Sequence, residues 1–501
     1  MKEIVKTIKE NQLIRVIIEL IILTLVFNIS KVIGVIFTLV ILLEIILSKK
    51  DENLLFIFLF LSFFDEVLVI DIIKGSISRI IMVVIFIKLL IHTIKNRIKP
   101  NKFQLSIIGF FLFSIIIGLV TVGFKLESFI TLFNVLIFVY FSMVLKFNNI
   151  DDINKFIEKL CLIIVIAVLN SILYGVINNN YLKELLENSV IYRFKGTYEP
   201  NFMCMYINLG ILSLLTIKNK FFSKKLYYVF LAIMINAVIA TVSMTGIITL
   251  TLSILLYLFF NRKNLKKEII DLIIVVIFTV TIFMGNKLLN INKEQKDEQT
   301  VKNYEIIQEV NPKYINNHNE IKIESKENNV TVSIAENKEK TETEDKEKNE
   351  TKKEAPNQNE SELSKRLEEM KSALINGELG KFTSGRIPIG ITFIEESFKR
   401  PILNILFGND MTVKKLYCNF FMREVYSHNS YIDCLYNFGV IGFLIIISFI
   451  WYRTIKNIYM GISIKGSKYS NNIKIIRIML LTYALALSLY TKRMFLIFFL
   501  L

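Results

Sequence analysis

The sequence predicts an all-α polytopic membrane protein. Of its 501 residues, 53% are hydrophobic and 21% are charged, and the mean hydropathy is +0.50. Soluble domains are about 45–50% apolar and about 25% charged. The apolar residues also form long runs, and about 20 such residues cross a bilayer core of about 30 Å as a helix. These observations exclude a single soluble globular domain and a chain disordered throughout.

Hydrophobic runs of this length recur from one end of the chain to the other. Because backbone polar groups in lipid must pair within their own segment, each run is predicted to be a helix. The predicted spans are about 13–29, 32–47, 53–72, 77–93, 103–122, 127–145, 159–177, 200–217, 226–242, 245–260, 268–285, 429–452 and 473–489. We therefore predict about 12–14 transmembrane helices in two parts, 1–285 and 429–501. Whether the apolar tail at 494–501 spans the membrane stays open.

Lys and Arg indicate the orientation of these helices. They are concentrated in alternate loops, such as 95–102, 218–225 and 453–477, and are sparse in the loops between them. Since cytoplasmic loops are enriched in Lys and Arg, we expect a multi-pass plasma-membrane protein with a cytoplasmic N-terminus. The long segment 286–428 is then external. The formal net charge of +16 is accounted for by this orientation, so nucleic acid is not expected as a partner.

The external segment divides into two by composition. Residues 286–360 are dominated by Lys, Glu and Asn, with few large apolar side chains. Such a segment buries too little surface to offset its chain entropy and is predicted to be a flexible polyampholyte. Residues 361–428 are predicted to be ordered and helical. Their main element is an amphipathic helix after Ser384 and Gly385 that ends at Pro401, with apolar residues at helical spacing: Ile387, Ile391, Ile394 and Phe398.

A cationic segment precedes the mid-chain span that begins near residue 200. Arg193 and Lys195 are followed by a glycine and then by Pro200 and Asn201. Backbone N–H groups at a helix N-terminus, together with an arginine, can bind an anion such as phosphate. The alternative is that the two cations extend to the membrane interface and Pro200 only begins a helix.

A second arginine lies in the first turn of the predicted loop helix. A cation at that position is opposed by the helix dipole, so Arg386 needs another reason to be there, and phosphate binding would be one. Simple solvent exposure is the alternative.

A histidine stands where the external segment re-enters the membrane. His428 is one of only three histidines, and an imidazole at this place can take a proton from a sugar hydroxyl near neutral pH. Asn429 could orient it. Gly439 and Gly442 lie on one face of the predicted following helix, where close helix approach is possible. An interfacial histidine with glycines for packing is the alternative.

No metal or cofactor is expected. The four cysteines are too few and too scattered for a zinc site or a disulfide framework. Phosphate-loop, dinucleotide-binding and metalloprotease motifs do not occur in the sequence.

Taken together, these stretches resemble the bacterial O-antigen ligase and O-antigen polymerase superfamily of membrane glycosyltransferases. That family has about a dozen spans, one large external loop late in the chain, and a signature of His, Asn or a similar residue, and two spaced glycines. His428, Asn429, Gly439 and Gly442 match it. The stretch from Arg193 to Asn201 and the series Arg386, Pro401, Gly408 resemble two further family features. Where the family often has Ser-Arg in a small external hairpin, this chain has Ser243–Met244.

The resemblance implies a fold like that of the GT-C glycosyltransferases and a donor glycan linked to undecaprenyl diphosphate. It implies that Arg193 and Arg386 hold the diphosphate, with Lys195 replacing the arginine absent from the hairpin. His428 would be the general base, with Asn429, Gly439, Gly442 and Asn201 in supporting roles. A flippase and a chain-length regulator of the same pathway are further expected partners, besides the lipid bilayer.

Several functions remain open at this point. The first is a polymerase that joins lipid-linked repeat units, and the second is a ligase or oligosaccharyltransferase that moves a glycan to another acceptor. A transporter or flippase belongs to a different class and predicts broken helices and polar residues at mid-membrane. A non-catalytic membrane anchor predicts that Arg386 and His428 can be replaced without loss. We favour the polymerase. The excess of Ile, Lys and Asn indicates an AT-rich genome such as that of a Gram-positive organism, and such an organism has no lipid A core to which a ligase could transfer the glycan.

Overall fold

The described part of the chain is mostly helical, and its strands form two-stranded antiparallel pairs. The structure is a computed structural model that describes residues 12–48, 50–70, 75–123, 126–178, 193–218, 220–281, 321–326, 329–334, 372, 376, 385–408, 415–489 and 492–500.

Helices follow one another through the described part of the first 281 residues. They are α1 (Gln12–Ile29), α2 (Lys31–Leu47), α3 (Asp51–Leu61), α4 (Ile77–Lys95), α5 (Lys102–Val122), α6 (Leu126–Val144), α7 (Ile150–Asn178), α8 (Pro200–Thr216), α9 (Lys224–Ala240), α10 (Met244–Phe260) and α11 (265–281). Two short strands, β1 (Val69–Ile70) and β2 (Gly75–Ser76), pair between α3 and α4.

The remaining described elements begin with a hairpin inside the polar segment. They are β3 (Ile321–Lys326), β4 (Asn329–Ile334), α12 (Arg386–Phe398), α13 (Ile402–Phe407), β5 (Lys415–Cys418), β6 (Arg423–Tyr426), α14 (Ser430–Lys456), β7 (Ile458–Tyr459), β8 (Ile462–Ser463), α15 (Ser470–Ala484) and α16 (Arg493–Leu500). Strand β3 pairs with β4, β5 with β6, and β7 with β8.

Several helices are suited to a membrane. Among the described residues, α4, α5, α7 and α14 are long and apolar enough to cross one. Shorter apolar helices of 17 residues occur in α6, α8 and α10, and 17 residues extend about 26 Å. The chain is therefore an all-α protein of membrane type, while the number of 12–14 spans stays a prediction.

Central and peripheral helices differ in what they expose. Nearly every side chain of α3 and α8 is buried, including all of those from Leu54 to Leu61. By contrast, α5 exposes large apolar side chains such as Phe113, Ile116 and Leu119. A helix that is apolar all round and exposed at the periphery fits contact with lipid rather than with water.

The loops at one end of the bundle are joined by ion pairs. Glu158 near the start of α7 is buried and contacts Lys220 and Lys468, the latter at 2.9 Å, and the hydroxyl of Tyr469 donates to it at 2.5 Å. Lys218 contacts Glu268 at 3.0 Å. These residues lie at the end that the charge pattern assigns to the cytoplasm. We call it the Glu158 end, and the orientation itself stays a prediction.

The polar segment differs from its sequence-based description in two places. Residues 321–334 contain the hairpin β3–β4, where alternating Ile and Val residues favour strands, although a flexible chain was expected. Residues 385–426 contain a β-hairpin, β5–β6, as well as helices. The rest of the predicted flexible segment, and Ser384, lie outside the described residues.

Helix α14 is broken near its first third. Gly439 has φ 65° and ψ −176°, so the helix does not continue through it, whereas the sequence predicted an unbroken span. The end of α13 inserts there: a methyl group on Gly439 would collide with the backbone of Leu406, and one on Gly408 with that of Asn437. Only glycine fits at these two backbone contacts.

The apolar C-terminal tail lies inside the bundle. Side chains from Phe495 to Phe499 of α16 are all buried. Arg477 of α15 is fully buried and donates to the carbonyls of Phe498 at 2.7 Å, Arg453 at 2.9 Å, and Ile458. With eight residues, α16 is about 12 Å long and too short to span a bilayer.

Candidate functional site

The segment before α8 is attached to the turn between α9 and α10. The backbone N–H of Phe194 donates to the carbonyl of Ala240 at 2.8 Å. Arg193 Nε donates to the carbonyl of Thr241 at 3.0 Å, and Arg193 Nη2 donates to Oδ1 of Asn201 at 2.9 Å. The guanidinium is thus fixed in place by two oxygens of neutral groups.

Asn201 connects this segment to the start of α10. Its Oδ1 also accepts from the Ser243 hydroxyl at 3.0 Å, and its Nδ2 donates to Glu199 Oε1 at 3.4 Å. Ser243 in turn is the N-cap of α10 and accepts from the backbone N–H of Gly246. These contacts of Asn201 orient Arg193 and Glu199, and its supporting role in a reaction stays a prediction.

Arg386 reaches the same turn from the polar segment. It opens α12 directly after Gly385, the N-cap, whose φ of 79° lies in the left-handed region that favours glycine. Arg386 Nη1 donates to Thr245 Oγ1 at 2.8 Å. Burial lowers the pKa of Arg386, and the nearby Glu199 carboxylate opposes that change. Two arginines far apart in the sequence are therefore anchored within five residues, at Thr241 and Thr245.

His428 stands between β6 and α14 in an unusual backbone conformation. Its φ is 50°, in the left-handed region that non-glycine residues seldom adopt. Burial lowers its pKa below the ordinary value, Glu199 opposes the shift, and Arg386 adds to it. The shift favours the neutral imidazole, which has a nitrogen lone pair that can accept a proton.

The residues after His428 fix its position. Asn429 caps α14, because its Oδ1 accepts from the backbone N–H groups of Tyr431 and Ile432, and its Nδ2 donates to the carbonyl of Leu485 at 3.1 Å. Ser430 donates to the carbonyl of Leu487 at 2.5 Å. The chain directly after α15 thus supports the segment that carries the histidine.

The two signature glycines have different surroundings. Gly439 forms the break in α14, so it does not share a regular helix face with Gly442. Gly442 lies against Phe110 of α5, where a methyl group would be too close to the ring. The contacts of the two glycines are thus with the end of α13 and with α5, and their supporting role in a reaction stays a prediction.

Lys195, a predicted site residue, is exposed on the segment that carries Arg193.

Glu199 was not predicted from the sequence, although it acts on the pKa of both Arg386 and His428. Its place directly before Pro200, at the N-cap of α8, was the available signal, because acidic groups favour helix N-termini.

The cluster lies at the end of the bundle opposite the Glu158 end, in a mostly helical protein suited to a membrane. Within the described residues, no group of three or more His, Cys, Asp or Glu side chains could hold a metal ion. No family model, curated protein or solved structure matches the chain. The assignment to the membrane proteins therefore rests on the helices alone, and the function is proposed below.

Proposed function

We propose that the chain is a membrane glycosyltransferase that polymerises undecaprenyl-diphosphate-linked oligosaccharide repeat units into a surface polysaccharide. The observation that carries the proposal is the anchoring of Arg193 at Thr241 and of Arg386 at Thr245, four residues further along the chain, with His428 in electrostatic contact with Arg386. The resemblance of the sequence motifs to the O-antigen ligase and polymerase superfamily supplies the substrate class.

The chemistry follows from the charges. In the reaction the bond between the anomeric carbon and the diphosphate oxygen breaks, and a bond to an acceptor hydroxyl oxygen forms on the opposite face, which inverts the anomeric centre. The two guanidinium groups stabilise the charge that develops on the diphosphate. His428 accepts the proton from the hydroxyl. No step requires a metal ion or a cofactor.

An apolar cavity beside the cluster suits a lipid-linked ligand. Its volume is about 190 Å³, and it lies between α5, α14, α15 and α16. Ser430 and Tyr431 line it, directly after His428 and Asn429. A hydrocarbon chain placed there would have its polar end near the arginines.

A ligase or oligosaccharyltransferase would use the same side chains as a polymerase. The identity of the acceptor therefore distinguishes a polymerase from a ligase.

A transporter is the second candidate, because α14 is broken at Gly439 and carries the buried polar residues Asp433 and Asn437 beside the break. Broken helices with polar groups near mid-membrane are typical of transporters.

The first experiment sizes glycans in cells that lack the chain and are complemented with wild type, His428→Ala or His92→Ala. His92 is the matched control because it lies at the Glu158 end, 3.6 Å from Asp51. A polymerase predicts that single repeat units accumulate on lipid in the deletion and the His428→Ala strain only. Long chains that stay on lipid would indicate a ligase. Full function of His428→Ala would overturn the proposed site.

A further inference from the structure

The apolar face of α12 that the sequence predicted is exposed. Ile391, Ile394 and Phe398 are 50%, 39% and 54% exposed, while the side chains that pack onto the protein are Ile389 and Phe393. An amphipathic pattern indicates an apolar face, but it does not say whether protein or lipid covers that face.

On a helical wheel, with 100° between successive residues, the side chains of α12 fall into three arcs. One arc holds Ile391, Ile394 and Phe398, a second holds Ile389, Phe393 and Ser397, and the third holds Thr392, Glu396 and Lys399. The second arc packs against β5–β6 and Tyr436 of α14. A helix with separate protein-facing, polar and apolar arcs is suited to the boundary between water and bilayer.

The following helix packs against the middle of α5. The ring of Phe407 in α13 is 5.3 Å from that of Phe113, which lies about 16 Å along α5 from Lys102. Phe438, just before the break in α14, contacts Phe110 and Phe111. The end of α13 thus lies beside the middle of a helix that is long and apolar enough to cross a membrane.

The exposed side chains of α13 continue this apolar surface. Ile402 and Leu403 are 69% and 64% exposed, and the neighbouring α5 exposes Phe113 and Ile116. The exposed apolar arc of α12 thus leads through α13 to a helix whose outer face suits lipid.

We propose that α12 lies in the membrane interface and that α13 re-enters the bilayer beside α5, with Ile391, Ile394, Phe398 and Leu403 in contact with lipid acyl chains. This places Arg386, the first residue of α12, near the lipid headgroups. The lipid contact does not depend on the proposed glycosyl transfer.

Spin labels can test the contact in nanodiscs. The four native cysteines are buried, so labels attach to cysteines introduced by Ile391→Cys, Ile394→Cys, Phe398→Cys and Leu403→Cys. Matched controls on the polar arc are Glu396→Cys and Lys399→Cys, and Ile116→Cys on α5 is the lipid-facing reference. Labelling of the unsubstituted chain is measured first to establish the background.

The measured quantity is the collision rate of each label with oxygen, which is lipid-soluble, and with a water-soluble nickel chelate. We expect the ratio of the two rates to be severalfold higher at the four apolar positions than at Glu396 and Lys399, and to resemble that at Ile116. A low ratio at the apolar positions would place them in water and overturn the proposal. Protection from both reagents, with or without magnetic coupling between molecules, would show that protein covers the face and would also overturn it.

Discussion

His428 is the residue on which the proposed chemistry depends most directly. Removing a positioned general base costs about 10²–10⁴-fold in rate. We therefore expect His428→Gln to lose activity by about this factor while the protein still folds. Turnover of a lipid-linked donor by purified protein measures the loss, and a His428→Gln enzyme with unchanged kcat would refute the role of base.

Glu199 should set the pH at which His428 becomes protonated. Because burial and Arg386 lower the pKa of His428 and Glu199 opposes them, activity should fall with decreasing pH at a midpoint below 6.5. Glu199→Gln removes the opposing charge, so the midpoint should move to lower pH. The pH profile of kcat/KM measures this, with Glu395→Gln on the exposed side of α12 as control. A midpoint that rises in Glu199→Gln would contradict the electrostatic assignment.

The geometry of Arg386 should matter as well as its charge. One nitrogen of its guanidinium donates to Thr245, and the planar fork leaves further donors for a phosphate. Lysine keeps the charge but lacks the planar fork that can bind Thr245 and a phosphate in fixed geometry, so Arg386→Lys should lower kcat/KM by about tenfold or more, which corresponds to about 1.4 kcal/mol. Arg423→Lys on the exposed strand β6 is the control, and equal effects of both changes would speak against a specific role.

At the scale of elements, the contact of α13 with the break in α14 is the most constrained. A methyl group on Gly408 (φ 80°) would collide with the backbone of Asn437, whereas one on Gly123 (φ 87°) would meet no described heavy atom within 4 Å. In both Gly408→Ala and Gly123→Ala the alanine is strained by the positive φ. Only Gly408→Ala also overpacks the structure, at a cost of about 1–3 kcal/mol, so it should lower the apparent melting temperature in detergent more than Gly123→Ala does. Similar shifts for the two variants would show that the contact is not tight.

The sequence predicted that α12 exists and where it ends, but not which way it faces. Helical spacing of Ile387, Ile391, Ile394 and Phe398 indicates an apolar face, and burial follows only if protein rather than lipid lies against it. The break at Gly439 was also not predicted. It arises from the backbone of residues 406–408, which the sequence does not place near α14.

The whole bundle depends on buried polar contacts that connect distant helices. Arg477 joins α14, α15 and α16 through three carbonyl groups. Arg477→Met would leave these carbonyls without that donor, at a cost of roughly 3 kcal/mol or more. We expect a lower melting temperature and poor recovery of folded protein, with Arg262→Met at an exposed position as control. An unchanged melting temperature would show that water or other donors replace the arginine.

The membrane class, the helical fold and the residues Arg193, Arg386 and His428 could be proposed from the sequence because hydropathy, charge and motif spacing are local signals. What brings Arg193 and Arg386 together is not local: one is anchored at Thr241 and the other at Thr245, on a turn that carries no charge of its own. Glu199 was not predicted for the same reason, because its effect depends on Arg386 and His428, which follow it by about 190 and 230 residues.

The break at Gly439 also has a consequence for motion. Helix α12, the hairpin β5–β6 and the outer part of α14 share one apolar cluster, and Arg400 donates to the carbonyl of Tyr436 at 2.9 Å. These pieces form one body that ends at Gly439, while Arg193 is attached to α8 and to the turn after α9. Arg386 opens α12 and His428 directly precedes α14, so both belong to this body, and its contacts with Thr245, Leu485 and Leu487 hold it against the bundle. In any local motion Arg386 and His428 should therefore keep their spacing to each other, while Arg193 moves with α8.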